Sequence, residues 1–416
     1  MKLKGALAPA AVLGAALAIG GSFLAVSPAY AAPPPQKLTR SVGLKLKAAQ
    51  QDIQKGKFAA GLKLLDQASA LPKQTPYSRH IATQLYVFAY EKTHNYAKLA
   101  PKLEQLSKDP YTSPAQKAQF TTSLAQIYYT LHDYPKAIQY GTEAIQKGWA
   151  DAQMPILVGQ AYYLQGNWRG TIQYEKGLID AQIKQGQKPT KQSLQLVQSA
   201  CQHLNDKPCL LNAIEQLVVY YPERQYWQYL IYKTLQTVKS DTNLLEAYRL
   251  AFDVGVMQEP HEFTNYAELA IEANDPGEAE AVLTKALQAN VFTTASSKAK
   301  AERLLADAKQ RAAKDLGGGL AVTAAAAARQ PTGESDVRVG LAYLGYEKYA
   351  MAVHEFTQGI AKGGLQNPAE AHLLLGIAEL KAGNKSAALQ AFQGVKGNPT
   401  LQRLASLWSL RARSAA

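Results

Sequence analysis

The chain has 416 residues, a formal net charge of +13, 47% apolar residues, and 23 Tyr against 9 Phe. Over such a length the charge is mild and no long basic run occurs, so it reads as a diffuse solvated surface. Many half-buried tyrosines with wet hydroxyl ends suit thin layers, two helices deep, and argue against a thick globular core.

The first residues read as an export signal. Lys2 and Lys4 form a basic n-region, an apolar Ala- and Gly-rich run extends from Gly5 to about Val26, and Ser27-Pro28 breaks it. Ala29-Tyr30-Ala31 then places small residues where a signal peptidase reads. The expectation is a periplasmic chain cleaved after Ala31, with a net charge of +11 once Lys2 and Lys4 are gone. An uncleaved anchor fits less well, because the run carries a proline and ends at a small-residue site. No later stretch is apolar enough to span a bilayer, so no transmembrane segment is expected after cleavage. Export removes nucleic acid from the expected partners and leaves anionic glycan, lipid headgroups or an acidic protein face. Residues 32–40 form a Pro-rich mature N-terminus, held extended by Pro33-Pro34-Pro35.

Further on, LAQIYYTLHDYPKAIQY (124–140) and VGQAYYLQGNWRGTIQY (158–174) repeat one pattern at a spacing of 34. Ala125 matches Gly159, Tyr128 and Tyr129 match Tyr162 and Tyr163, Ile138 matches Ile172, and Tyr140 matches Tyr174. Each stretch predicts helix, turn, helix. The turns fall at His132-Asp133 and Gly166-Asn167. In the second helix Ala137, Ile138 and Ala144 face inward, where small residues let two helices approach. One hairpin cannot bury its apolar face alone, whereas stacked copies can.

These residues resemble the tetratricopeptide repeat, with its small and aromatic positions over 34 residues. Other copies match at Ala49, Gly56, Phe58, Gly61, Leu65 and Ala68, and more weakly at Tyr90, Tyr96 and Ala100. Further copies match at Ala267, Ala270, Ala279, Leu283 and Ala286, then at Gly340, Tyr343, Tyr349, Ala352 and Phe356. A last one matches at Gly376, Gly383, Ala388 and Phe392, closed by Pro399. Between 193 and 255 the pattern blurs, with Ala213, Leu217 and Pro222 marking one degenerate hairpin and Tyr248 and Phe252 another. The resemblance implies an all-α solenoid of helix hairpins in a right-handed superhelix. It covers residues 41–316 as an N-terminal stack and 336–416 as a C-terminal pair with a capping helix. Between them, residues 317–335 hold Gly317-Gly318-Gly319 and an alanine tract. They read either as a hinge or as one more packed helix.

Cys201 and Cys209 flank a turn that folds two helices together. They either form a disulfide, which so short a loop would make worth at most about 2–3 kcal/mol, or remain two buried thiols.

No constellation for catalysis emerges. His261 and His354 open the same four letters, HEFT, but neighbouring helix residues point apart. There is no HExxH, no GxSxG and no phosphate loop, and the cysteines lack zinc-ligand spacing. No catalytic residue, metal site or cofactor is expected. The chain reads as non-enzymatic.

What remains is the groove that stacked first helices line. Its candidates are Thr122, Gln126 and Tyr129 in one copy and Ile156, Gln160 and Tyr163 in the next. Gln both donates and accepts, so a ladder of them can hold an extended peptide backbone, while Tyr adds flat contact area. Some tetratricopeptide repeats grip a terminal carboxylate with Lys and Asn at these positions. Thr122, Ile156, Gln126 and Gln160 depart from that set. In the C-terminal pair the same positions hold Leu341, Leu344, Leu373 and Ile377, which suit an amphipathic helix or a preceding helix of this chain.

A narrower resemblance rests on KGLIDAQIKQGQKPTKQSLQLVQSACQHLND, YYPERQYW, NDPGEAEAVLTKAL and KGGLQNPAEAHLLLGIAELKAGNKSAALQAFQGVKG. These look like exported proteobacterial tetratricopeptide-repeat proteins that accompany TonB–ExbB–ExbD systems. The likeness implies an envelope scaffold that binds a protein or peptide segment. The glycine run and the second cysteine depart from that pattern. The alternative is an envelope protein that binds cell-wall glycan or assists polysaccharide or outer-membrane assembly.

Overall fold

The computed structural model describes residues 36–414, so the expected signal segment and Pro33–Pro35 lie outside the described residues. Among those described, every regular element is helical. The chain forms two compact units that divide after Tyr174.

The first unit stacks hairpins. They are α1 (Arg40–Gln54) with α2 (Phe58–Ser69), α3 (Pro76–Lys92) with α4 (Tyr96–Ser107), and α5 (Pro114–Thr130) with α6 (Tyr134–Gln146). α7 (Met154–Leu164) follows, then α8 (Trp168–Lys184), in which the division falls. Local chemistry sets the boundaries. Thr75 and Ser113 close capping boxes ahead of Pro76 and Pro114, which occupy the first helical positions where a missing N–H costs nothing. Within hairpins the turn closes on one left-handed residue, His94 (φ 53°), His132 (φ 59°) or Gly166 (φ 73°). Asn95 and Asp133 then cap the second helix.

Packing follows the repeat. Ala125, Ala137 and Ala144 are fully buried, with Leu99, Leu103 and Leu124 filling the space beside them. Glycine is required where helices touch: a Cβ on Gly141 would lie 2.5 Å from Val158 Cγ2. Tyrosine hydroxyls tie one copy to the next. Glu104 accepts from Tyr128 at 2.6 Å, Tyr140 at 3.0 Å and Lys136 at 3.1 Å. Burial pushes the Glu104 carboxyl up, but these three donors outweigh it and hold it below its ordinary value. Glu104→Ala leaves two buried hydroxyls without an acceptor, and should lower unfolding free energy by about 2 kcal/mol in urea titrations. A cost near zero would mean that water replaces the carboxylate.

The second unit continues with α9 (Lys191–His203) and α10 (Lys207–Tyr220), α11 (Arg224–Leu235) and α12 (Asp241–Asp253), and α13 (Pro260–Glu272) and α14 (Pro276–Gln288). Residues 193–255, where the sequence pattern blurs, are thus two ordinary hairpins. Cys201 and Cys209 are joined as a disulfide across the α9–α10 turn. α15 (Ala295–Lys314) runs into a π-turn at Asp315–Gly319, kinked at Gly318 (φ 106°), and α16 (Leu320–Ala327) follows. The alanine tract is therefore helical, with Leu320 and Ala327 buried. Gly333 then hydrogen-bonds Gly363 through its N–H at 2.8 Å.

α17 (Glu334–Gly345) with α18 (Tyr349–Lys362) and α19 (Pro368–Lys381) with α20 (Lys385–Gln393) form the C-terminal pair, and α21 (Pro399–Arg413) ends it. This pair folds back: α17 packs on α14, and α21 packs on α10, α11 and α12. α21 begins at Pro399 and buries Leu401, Leu404, Leu407 and Trp408. Arg403 reaches Glu215 at 2.6 Å, and Arg411 reaches Asp253 at 2.8 Å.

Candidate peptide groove

In the first unit α1 packs on α3 and α5 on α7, while the second helices α2, α4 and α6 make no comparable contacts with one another. Closer approach on the first-helix side makes that side the concave one. Thr122, Gln126 and Tyr129 on α5 and Ile156, Gln160 and Tyr163 on α7 are all half-buried, neither core nor free in solvent. Two of them meet: Tyr129 Oη donates to Gln160 Oε1 at 3.0 Å. That bond holds the Gln160 amide in place. Burial, with Tyr134 nearby, raises the Tyr129 hydroxyl above its ordinary value, so it stays a donor at neutral pH. Tyr129 also packs edge-on against Tyr134, and Tyr163 against Trp168, with ring centroids 5.9 and 5.1 Å apart. The aromatic walls are thereby fixed in rotamer. Thr122 bonds back to the carbonyl of Gln119 at 2.8 Å, so its methyl is the part left for a neighbour.

One repeat earlier, α3 carries Gln84, Phe88 and Glu91 at the matching register, all half-buried. Sequence reasoning did not include them, because the α3–α4 copy is spaced 38 residues from the next and its motif is weak. α5 and α7 thus offer amides, hydroxyls and rings, and α3 carries an amide, a ring and a carboxylate at the same register. Such groups can hold an extended backbone by hydrogen bonds and flat contact.

The corresponding face of the C-terminal pair is occupied within its own unit. Leu344, Leu373 and Ile377 are buried and Leu341 is half-buried. Leu344 and Ile377 border a cavity of about 90 Å³ together with Phe252, Arg249 and Trp408. Helices of the same unit cover that face: α14 packs on α17, and α21, which follows the pair, packs on α19, so the expected preceding helix accounts for only part of the cover.

An ionic cluster lies beneath. Arg249 on α12 binds Glu278 through Nε at 2.9 Å and Nη2 at 2.7 Å, pairs with Glu246 through Nη1, and lies 3.6 Å from Asp275. Tyr266 donates to Glu278 at 2.6 Å. Glu246 Oε2 and Asp275 Oδ2 are buried without a hydrogen-bond partner. Burial, offset in part by Arg249, pushes Glu246 up to about 8 and raises Asp275 well above its ordinary value. Burial also acts on Glu278, but Arg249 and Tyr266 outweigh it and hold this carboxyl low. Glu370 on α19 is raised by burial as well. One guanidinium thus sits among several carboxyls, holding Glu278 low while burial raises Glu246, Asp275 and Glu370.

No protein-family model matches the chain, and no curated protein matches it. Among solved structures, a tetratricopeptide repeat protein from Parabacteroides merdae is similar at 14% identity and a TM-score of 0.22, over 70% of this chain and 98% of that one. Yeast Tom70 is similar at 10% identity and a TM-score of 0.23, over 90% and 96%. The Naa15/Naa10 complex bound to HypK-THB gives 13% identity and a TM-score of 0.28, over 89% and 67%. The fold is an all-α solenoid of tetratricopeptide-like hairpins, as the helix order and packing above establish.

Proposed function

We propose that the chain is a non-enzymatic scaffold that holds a protein segment in extended form along the first helices of its N-terminal unit. The observation that carries this reading is the Tyr129–Gln160 bond between consecutive first helices, which presents a fixed amide and ring on a half-buried wall. A terminal-carboxylate clamp is disfavoured, since no cation stands at these positions. Export to the periplasm and a role beside a TonB-type energy-transducing system rest on the sequence resemblance and on the signal-like first residues. Contact with cell-wall glycan is the competing outcome.

The test compares the wild-type chain with a Gln126→Ala/Tyr129→Ala/Gln160→Ala variant, each carrying a photo-crosslinker at position 122. Envelope extract and purified peptidoglycan serve as targets. The scaffold reading expects a discrete protein crosslink that falls at least about tenfold in the variant, which corresponds to roughly 1.4 kcal/mol. Peptidoglycan retention that ignores the substitutions, with no protein crosslinked, would reject it.

A further inference from the structure

The chain's positive charge is concentrated in one place. Residues 36–108, which form α1 to α4, contain 13 Lys and Arg against 4 Asp and Glu, whereas residues 109–174 contain 4 of each. The first two hairpins therefore carry essentially all of the first unit's surplus, and the sequence-level picture of a diffuse charge does not hold for this unit.

Register shows where part of that surplus points. On α3 the stripe Ser78, Ala82 and Ala89 is buried against the preceding hairpin, and on α5 Phe120, Ser123 and Ile127 are buried in the same way. Met154 and Ala161 hold these positions on α7. The same stripe on α1 is Arg40, Leu44, Lys47 and Gln51, spaced so that all four share one helix face. All four are exposed, and Leu44, whose counterparts are Ala82, Phe120 and Met154, is 62% exposed. α1 buries the opposite stripe, Val42, Leu46, Ala49 and Ile53, in the usual way. Neither Arg40 nor Lys47 enters an ion pair among the described residues.

A stack end that simply faced water would carry polar residues throughout. This one keeps a leucine at the contact position and surrounds it with one sign of charge. We propose that the α1 face is a docking site for an acidic amphipathic helix of a partner protein, which adds to the stack where a further hairpin would sit. Its apolar residue covers Leu44, and its carboxylates meet Arg40 and Lys47. Charge complementarity selects an acidic partner and speeds its approach, while the leucine contact sets the register. This site lies on a different helix face from the groove and does not depend on the groove being used.

The probe is a fluorescein-labelled synthetic helix with leucines at i, i+4 and i+7 flanked by glutamates, titrated with the full chain by anisotropy. Its control has glutamine at every glutamate position. The acidic peptide should bind at least about tenfold more tightly than the control, with the advantage shrinking as salt is raised. Arg40→Glu/Lys47→Glu should abolish that advantage, and Leu44→Asp should weaken both peptides. Lys117→Glu/Arg169→Glu, which alters the charge-balanced half, should leave binding unchanged. All the α1 changes fall on exposed residues, so thermal melting reports whether the fold is intact. Equal binding of the two peptides would overturn the proposal, as would indifference to the α1 reversal. Uptake by phosphatidylglycerol vesicles that depends on Arg40 and Lys47, with no peptide bound, would assign the face to membrane and overturn it equally.

Discussion

Arg249→Met should destabilise the second unit by about 3–5 kcal/mol at pH 8 and by clearly less at pH 5. Among the described residues the guanidinium is the only cation bonded to Glu246 and Glu278, and both side chains are largely or wholly withdrawn from water. Removing it leaves Glu278 without its cation at pH 8, and an uncompensated buried charge is among the costliest single defects. The pH dependence follows from the direction of the shifts. Glu246 is raised to about 8, and Asp275 is raised too, both chiefly by burial. A carboxyl held protonated in the fold favours the folded state at pH values below its unfolded value. That contribution is lost as pH rises through the folded value, because the unfolded chain then ionises more readily. The wild-type unit should therefore be more stable at pH 5 than at pH 8. Without Arg249 every carboxyl in the cluster shifts further upward, which steepens that slope. Urea titrations of both proteins at the two pH values measure it. Equal losses at pH 5 and pH 8 would show that the cluster carries a fixed charge. Glu246→Gln supplies the converse check, since it removes the ionisation and should flatten the wild-type slope.

How much of this was legible in the sequence depends on how locally each feature is encoded. The hairpins of 124–174 were readable because Ala125, Tyr128, Ala137 and Tyr140 each do one job at a fixed spacing, and all four are buried as the pattern requires. The copies at Gly340 and Gly376 were readable for the same reason, since each glycine lies against the Phe sixteen residues on and a Cβ would collide with the ring. Residues 193–255 blurred because α12 uses its second-helix positions for Glu246 and Arg249, whose partners Asp275 and Glu278 come from the next hairpin. A lone arginine within LLEAYRLAF carries no local sign of that role. The groove candidates were placed on the intended helices, but the Tyr129–Gln160 bond spans 31 residues and depends on how adjacent hairpins lean. The return of α21 onto α10 to α12 was invisible for a related reason. Its leucines repeat at helical spacing whatever they face, and only tertiary packing selects the surface they meet.

That return yields the second large effect. Trp408→Ala should cost the second unit about 3–5 kcal/mol, the range for deleting a large buried aromatic. Trp408 is 1% exposed although it stands near the end of the chain, where a fraying cap would leave it in solvent. Beside it, Arg411 on the same helix and Lys381 on α19 both bind Asp253 on α12. The indole therefore supports a contact between elements more than 150 residues apart in sequence, as the separation of Arg411 from Asp253 shows. Long-range contacts of this kind close large loops, so their loss is felt by every element they join. Hydrogen exchange should show α10 to α12 and α19 to α21 losing protection together in Trp408→Ala, while α3 to α6 keep theirs. Trp408→Phe separates packing from polarity. Trp408 Nε1 has no hydrogen-bond partner, so phenylalanine sacrifices volume but no bond and should recover most of the loss. A cost below about 1 kcal/mol for the alanine variant would place Trp408 among surface substitutions. α21 would then be a loose cap, and the C-terminal pair's leucine face would be open to a helix from elsewhere.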